Sequence, residues 1–330
     1  MAKLRLGIIG TGSIANAHAG GYKKHLDQVE LVAACDIRED VAQAFAQRHG
    51  FQQVFTDYRT LLEQDIVDCV SVCTPNNLHA PISIEALRQG KSVLCEKPMS
   101  TSVALAEQMK QASEETGKVL YIGFNHRLIG NFNRGKQLLD QRLGRVLAAR
   151  VAVGHGAYAE LQRKWFAHRD QSGGGTFIDN GVHMIDMIRW YIGPIEEVTG
   201  QTSRMMITEG DVEDNGYALF RCRGGATASL QCSWTWWGGY TLVFDAICEN
   251  GTLSLSGSDC VAYDKEMDAR IEAKVPNLDC WAEEVKHFLA AARGDEAPFI
   301  TPEDGLAAVR AAVGAYQSEA TGQVVKLDQL

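Results

Sequence analysis

The chain opens with an apolar run, Leu4–Ile9, that stops at Gly10-Thr11-Gly12-Ser13-Ile14-Ala15. No other stretch limits the fold so tightly. A strand-length apolar run, then G-x-G-x-x-A, then a helical pattern describes the first turn of a strand–helix–strand unit that takes a dinucleotide. Gly10 permits the tight turn, Gly12 lets a pyrophosphate approach the backbone, and Ala15 lets the helix pack on the strand. Ser13 and Ile14 begin the helix, where unpaired N–H groups and the positive end of the dipole face the phosphates. A second apolar run, Val29–Cys35, ends in Asp36, at the distance where a carboxylate meets the adenosine ribose hydroxyls. Asp36 also suits a helix cap, because Glu39 follows three residues on as in a capping box. Ile37 and Arg38 complete this end. Asp36 favours NAD, while Arg38 would suit a 2′-phosphate and keeps NADP open.

The alternation of strand and helix continues. Val41–His49 is helical and closes at Gly50, a short strand lies around Gln53–Phe55, Tyr58–Gln64 makes a helical turn, and Val67–Cys73 is an apolar strand. Thr74-Pro75-Asn76-Asn77 then breaks the chain before a helix over Leu78–Gln89 that Gly90 stops. Thr74, Pro75, Asn77 and His79 fall where the nicotinamide half of the cofactor should pass, although Asn77 fits helix capping equally well. Strand Ser92–Cys95 ends in Glu96-Lys97-Pro98. In isolation this is a surface turn with a solvated lysine. Here the lysine stands at the carboxyl end of a sheet strand, where open α/β sheets bind ligands, and Pro98 stiffens its loop. A Lys–Pro bond can also be cis, which would aim the lysine. Helix Ser102–Thr116 and strand Val119–Phe124 complete a doubly wound parallel sheet of about six strands. A dinucleotide-binding domain is expected over residues 1–124.

After Asn125 the pattern changes. Phe132–Gln141 reads as a helix and Val146–Gly154 as a strand, followed by SGGGTFIDNGVHMID over residues 172–186. Gly173, Gly174 and Gly175 permit close backbone approach before a helix. On that helix Asp179 and His183 are four apart and share a face, with Asp186 close to it. Such a pair is most often a surface ion pair; the three glycines and the apolar surround favour a pocket lining. From Val198 onward the pattern is antiparallel. Tyr217–Cys222 and Ala226–Trp236 flank Gly224-Gly225, Thr241–Cys248 follows Gly238-Gly239, and Leu253–Leu255 follows Asn250-Gly251, all as hairpins. Alternation in Ala226–Trp236 puts Thr227, Ser229, Gln231 and Ser233 on a flat polar face suited to self-association. Helices over 279–292 and 302–321 and a strand over 324–327 close the chain.

Composition bounds the class. A chain of 330 residues holds two cores, and 45% apolar and 22% charged residues are ordinary for a globular protein. A net charge of −9 with no basic block argues against nucleic acid, and no apolar run is long enough to span a membrane. Nine cysteines, most within apolar strand-like runs and without metal-ligand spacing, predict reduced buried thiols and no metal. With no signal-peptide pattern at the start, a cytoplasmic protein is expected.

Four ordered motifs, GTGSIA, TPNNLH, GKSVLCEKP and SGGG followed by DNGVHMID, resemble the glucose–fructose oxidoreductase / inositol dehydrogenase family (Gfo/Idh/MocA), over nearly the whole chain. The resemblance implies an α/β fold: a Rossmann domain, then a C-terminal α+β domain over 125–330 with a large open, mainly antiparallel sheet. The C-terminal helices are free to pack back on the first domain. It further implies a catalytic set of Lys97, Asp179 and His183, with Glu96, Lys97 and Asn125 near the cofactor and Trp165 near a sugar, sugar-derivative or cyclitol substrate. Asn125-His126-Arg127 selects no subfamily.

The chemistry of such a set is hydride transfer between nicotinamide and a secondary hydroxyl. His183 suits the proton acceptor and Lys97 the cation at the developing alkoxide, with Asp179 orienting the imidazole; Lys97 as base is the alternative. The segment from His155 to Arg169, just ahead of the glycines, is expected to wall the pocket with Tyr158, Arg163, Trp165, His168 and Arg169. Trp165 suits the apolar face of a sugar ring, and the arginines leave an acidic substrate open. A homodimer or homotetramer is expected. Two other functions fit the same motifs: a non-catalytic dinucleotide-sensing regulator and an NAD-dependent glycoside hydrolase.

Overall fold

A computed structural model describes residues 2–330. Their contacts divide into two compact units. The first runs up to Asn125 and takes in Asp279–Leu306; the second is His126–Leu278 with Ala307–Leu330. The expected boundary at 124/125 therefore moves by one residue, and Asp279–Leu306 joins the first unit, which periodicity alone does not assign.

The first unit alternates β1 (Leu4–Ile9), α1 (Ser13–Tyr22), β2 (Val29–Cys35), α2 (Glu39–His49), β3 (Gln53–Phe55), α3 (Tyr58–Leu62), β4 (Cys69–Val72), α4 (His79–Arg88), β5 (Ser92–Cys95), α5 (Val103–Thr116) and β6 (Leu120–Ile122). The strands form one parallel sheet in the order β3-β2-β1-β4-β5-β6. Every residue of β4 and β5 is buried, as in a sheet covered on both faces. The order reverses between β1 and β4, the place where open α/β sheets take ligands beyond the carboxyl ends of their strands. Local signals set the helix ends. Ser102 Oγ accepts from Leu105 N–H to cap α5, and α2 stops at left-handed Gly50, whose N–H donates to Ala46 O at 2.7 Å.

The second unit contains α6 (Gly130–Leu138), β7 (Val146–Gly154), α7 (Tyr158–Leu161), α8 (Arg169–Ser172), α9 (Val182–Ile192), β8 (Ile195–Ser203), β9 (Asn215–Cys222), β10 (Thr227–Ser233), β11 (Thr241–Cys248), β12 (Gly251–Ser256), β13 (Asp259–Asp264) and β14 (Ala269–Glu272). Helix α10 (Cys280–Arg293) follows and belongs to the first unit. Helix α11 (Pro302–Thr321) leaves that unit after Leu306, and β15 (Val325–Lys326) ends the second. The nine strands are ordered β14-β13-β12-β11-β7-β10-β9-β8-β15. Helix α9 packs on β7 and β10 and is apolar almost all round. Val182, Met184, Ile185, Met187 and Ile188 are fully buried, each contributing roughly 1.5–3 kcal/mol of transfer free energy.

Two expectations change here. Gly238-Gly239 does not make a hairpin, because β7 lies between β10 and β11 and pairs parallel with β10. The chain has to cross a strand there, so a two-residue turn cannot serve. Strand β10 also ends at Ser233, not Trp236. Ser233 is buried, and its Oγ accepts from Thr235 N–H, so it leaves the polar face expected of it. The Gly224-Gly225 and Asn250-Gly251 hairpins form as expected.

Candidate active-site residues in each unit

In the first unit the loops after β1, β2, β4, β5 and β6 carry the candidate residues. Gly10 has φ +84°, and a Cβ there would stand 2.7 Å from Cys73 O, so only glycine fits. At Gly12 an added Cβ would meet nothing, and no side chain caps the start of α1. The N–H groups beginning at Ser13 and Ile14 therefore face open space, as a pyrophosphate requires. Asp36 Oδ2 accepts from Thr11 N–H (2.9 Å) and Thr11 Oγ1–H (3.1 Å), and Oδ1 from Arg38 N–H (3.1 Å). Arg38, not Asp36, stands at the N-cap of α2, which sets the capping box aside. Ile37 beside it is 89% exposed and offers an apolar wall to a flat heterocycle.

Leu78 stands at the N-cap of α4 with no side-chain cap, so Asn77 does not fill the capping role either. Asn77 Oδ1 is buried without a hydrogen bond. His79 ties two loops together: Nδ1 lies 2.7 Å from Pro98 O and Nε2 2.9 Å from Thr74 O. Burial holds this imidazole below its usual range, against the raising effect of the two carbonyls. A neutral ring donates to only one of them. The Lys97–Pro98 bond is cis. Lys97 is half-buried, and its N–H donates to Glu96 Oε2 (3.1 Å), while Glu96 Oε1 accepts from His18 Nε2 at 2.8 Å. Burial works to raise the Glu96 carboxyl, but His18, then Lys97 and His79, hold it below the usual range.

In the second unit the glycines act as expected. Gly173 is left-handed at the end of α8, and a Cβ on Gly175 would stand 1.8 Å from Glu213 O. Glu213 Oε1 accepts from the N–H groups of Gly175 and Phe177 and from Tyr316 Oη–H (2.7 Å), fixing the turn that starts Phe177–Gly181. That segment is a π-helical turn leading into α9, a distortion common at functional sites. Asp179 sits on it half-buried, accepting from Trp234 Nε1–H at 3.1 Å. His183, the second residue of α9, is buried with its ring edge-on to His126, centroids 3.8 Å apart. Tyr240 Oη lies 3.3 Å from His126 Nε2. Half of Tyr240 is exposed, yet its hydroxyl end is enclosed, and burial followed by the charge of Asp179 pushes the phenol well up. Asp186 turns away to a buried pair with Arg127, at 2.8 and 2.5 Å.

The segment from His155 to Arg169 packs around Trp234 through Tyr158, Leu161, Phe166 and Ala167. Trp165 stacks on Phe166, centroids 3.8 Å apart. Arg163 is exposed. Arg169 pairs with Glu213 (3.6 Å) and lies over the Tyr316 ring, so it serves the glycine turn.

Residues 4–124 match the model for the oxidoreductase family with an NAD-binding Rossmann fold, and residues 132–254 match the GFO/IDH/MocA C-terminal domain. The chain belongs to the GFO/IDH/MocA oxidoreductase family. As a member it is an NAD-binding oxidoreductase with its dinucleotide domain in the first unit. It is 28% identical to myo-inositol 2-dehydrogenase of Thermotoga maritima over 99% of both chains. It is 29% identical to 1,5-anhydro-D-fructose reductase of Ensifer adhaerens over 98% of both. Levoglucosan dehydrogenase, solved in complex with NADH and L-sorbose, shares the fold with a TM-score of 0.93 at 21% identity, over 99% of each chain. For this GFO/IDH/MocA member, sequence reasoning missed His126, Tyr240, Trp234, Glu213 and His18. Each reads as a core or loop residue, and only contacts with segments distant in sequence distinguish them.

Proposed function

We propose that this protein oxidises a secondary hydroxyl of a ring polyol, a sugar or cyclitol, using NAD. The observation that carries the reading is a pair of clusters, each within its own unit: an uncapped glycine turn with Asp36 and Lys97 in one, and Asp179 on a π-helical turn just ahead of His183 in the other. The relatives named above for inositol and anhydrofructose support the substrate class.

Bound NAD would supply the hydride acceptor. Gly10, Gly12, Ser13 and Ile14 would hold its phosphates, Asp36 its ribose hydroxyls, and Thr74, Pro75, Asn77 and Asn125 its nicotinamide end. His183 takes the hydroxyl proton as general base, and Lys97 stabilises the developing alkoxide. Asp179, held by Trp234, orients the substrate or the imidazole. Trp165 offers a ring for stacking, and the engagement of Arg169 with Glu213 favours a neutral substrate over an acid.

The same reading includes self-association through the open face of the nine-stranded sheet. Thr227, Ser229 and Gln231 are flanked there by Tyr217, Leu219 and Ile247, which are more than half exposed. A panel of sugars, cyclitols and sugar acids with NAD or NADP, followed by the absorbance of reduced nicotinamide, tests the function. Turnover confined to acyclic alcohols or 2-hydroxy acids would overturn it, and turnover without release of reduced cofactor would point to the hydrolase.

A further inference from the structure

Glu284, on α10, is fully buried, and neither carboxyl oxygen has a hydrogen-bond partner. A buried polar group without a partner is uncommon and asks for an explanation. Its surroundings supply one. Helix α10 crosses α1 so closely that a Cβ on Gly21 would stand 2.8 Å from Trp281 O. Trp281 and Glu284, three apart, share the face of α10 turned to α1, and the Trp281 ring lies 5.5 Å from that of His18. His18 is fully buried too. Its Nε2 meets Glu96, while its Nδ1 has no partner.

These loose ends are complementary. Glu96 carries the charge, since His18 and Lys97 N–H both donate to it. The neutral tautomer that donates from Nε2 leaves Nδ1 as an acceptor. The groups facing Glu284 are Glu96 from the loop after β5, Tyr22 from α1, Cys73 from the end of β4, and Cys280 one turn back on α10. None is a cation. Two neighbouring buried carboxyls cannot both ionise cheaply, so Glu284 holds a proton and is a donor.

We infer that Glu284 is a positioning residue for the Lys97 loop: its neutral carboxyl donates through one water to His18 Nδ1 and fixes the tautomer that binds Glu96. The chain runs from Glu284 O–H through water to His18, then from Nε2–H to Glu96, whose other oxygen holds the Lys97 N–H. Burial, followed by the Glu96 charge, pushes the Glu284 carboxyl well above the usual range, in agreement with this state. The link to catalysis rests on the role proposed for Lys97.

The test begins on the whole protein without substrate. With isotope-labelled histidine, and His18→Gln to assign the signal, nuclear magnetic resonance at neutral pH should show His18 neutral with its proton on Nε2. Glu284→Gln, which retains a donor, keeps that tautomer; Glu284→Leu loses it. The infrared difference between wild type and E284Q should contain the carbonyl band of a protonated carboxyl. In turnover, E284L lowers kcat about tenfold with little change in the KM for NAD, and E284Q recovers most of the rate. A carboxylate band instead, or an unchanged tautomer in E284L, overturns the inference. If E284L does not fold, the infrared comparison with E284Q still decides. Neither spectrum depends on turnover, so failure of the Lys97 assignment, seen as a wild-type rate in Lys97→Ala, is a separate result.

Discussion

In β4 of the first sheet Cys69, Val70, Ser71 and Val72 are all buried, whichever face they occupy. In β9 of the second sheet burial alternates: Ala218, Phe220 and Cys222 are inside, while Tyr217, Leu219 and Arg221 are outside. A sheet covered on both faces leaves only its strand ends for chemistry. That is why its candidate residues Gly10, Asp36, Thr74 and Lys97 all lie in loops just beyond strands. A sheet covered on one face can carry chemistry on the covering segment, where we propose it for Asp179 and His183, and leaves its other face open.

The sharpest test of this division is catalytic. Lys97→Ala and His183→Ala should each lower kcat by about a hundredfold or more, with stability and NAD affinity near wild type. If only the loop residue matters, the helix of the second unit is scaffolding and the division fails. Next in size is burial parity. Leu230→Ala, on the covered face, should cost about 2–5 kcal/mol in urea denaturation. Leu219→Ala, on the open face, should cost within about 0.5 kcal/mol, yet move sedimentation toward the monomer. Unchanged assembly in the Leu219 variant would remove the proposed contact.

Two glycines sharpen the same contrast. Gly175→Ala must displace the Glu213 backbone, so a loss of about 1–3 kcal/mol or more is expected, with thermal unfolding as the measure. Gly12→Ala meets no protein atom, so it should spare stability and raise the KM for NAD instead. The smallest effect is a slope with pH. Glu96 is held low, so its contribution is present above the unfolded pKa and is lost as pH falls through the folded one. Glu284 is held high, so its contribution is complete below the unfolded pKa and is lost as pH rises through the folded one. Glu284→Gln should therefore flatten the stability profile between the unfolded and the folded pKa of that carboxyl, where the native slope reaches up to about 1.4 kcal/mol per pH unit. A profile unchanged by that substitution would mean Glu284 is already ionised.

Local signals make much of the chain legible. The turn at Gly10, the stops at Gly50 and Gly117, the cap at Ser102 and the periodicity of each strand act within a few residues, so β1 to β6 can be read in order. So can helix α11 and strand β11, whose ends follow from pattern alone. The position of β7 between β10 and β11 cannot be read, because backbone pairing leaves no mark in either strand's own alternation. Asp186 stands out on the face of Asp179, but its partner Arg127 is 59 residues away. His18 and Glu96 are 78 residues apart, and Glu284 comes near Glu96 only because α10 belongs to the first unit. Sequence by itself determined the elements, the two-part organisation and the candidate chemistry, since those depend on neighbours along the chain. Only the tertiary structure decided which buried charges are paired and which buried carboxyl lacks a partner, since those depend on what packing brings within a few ångströms.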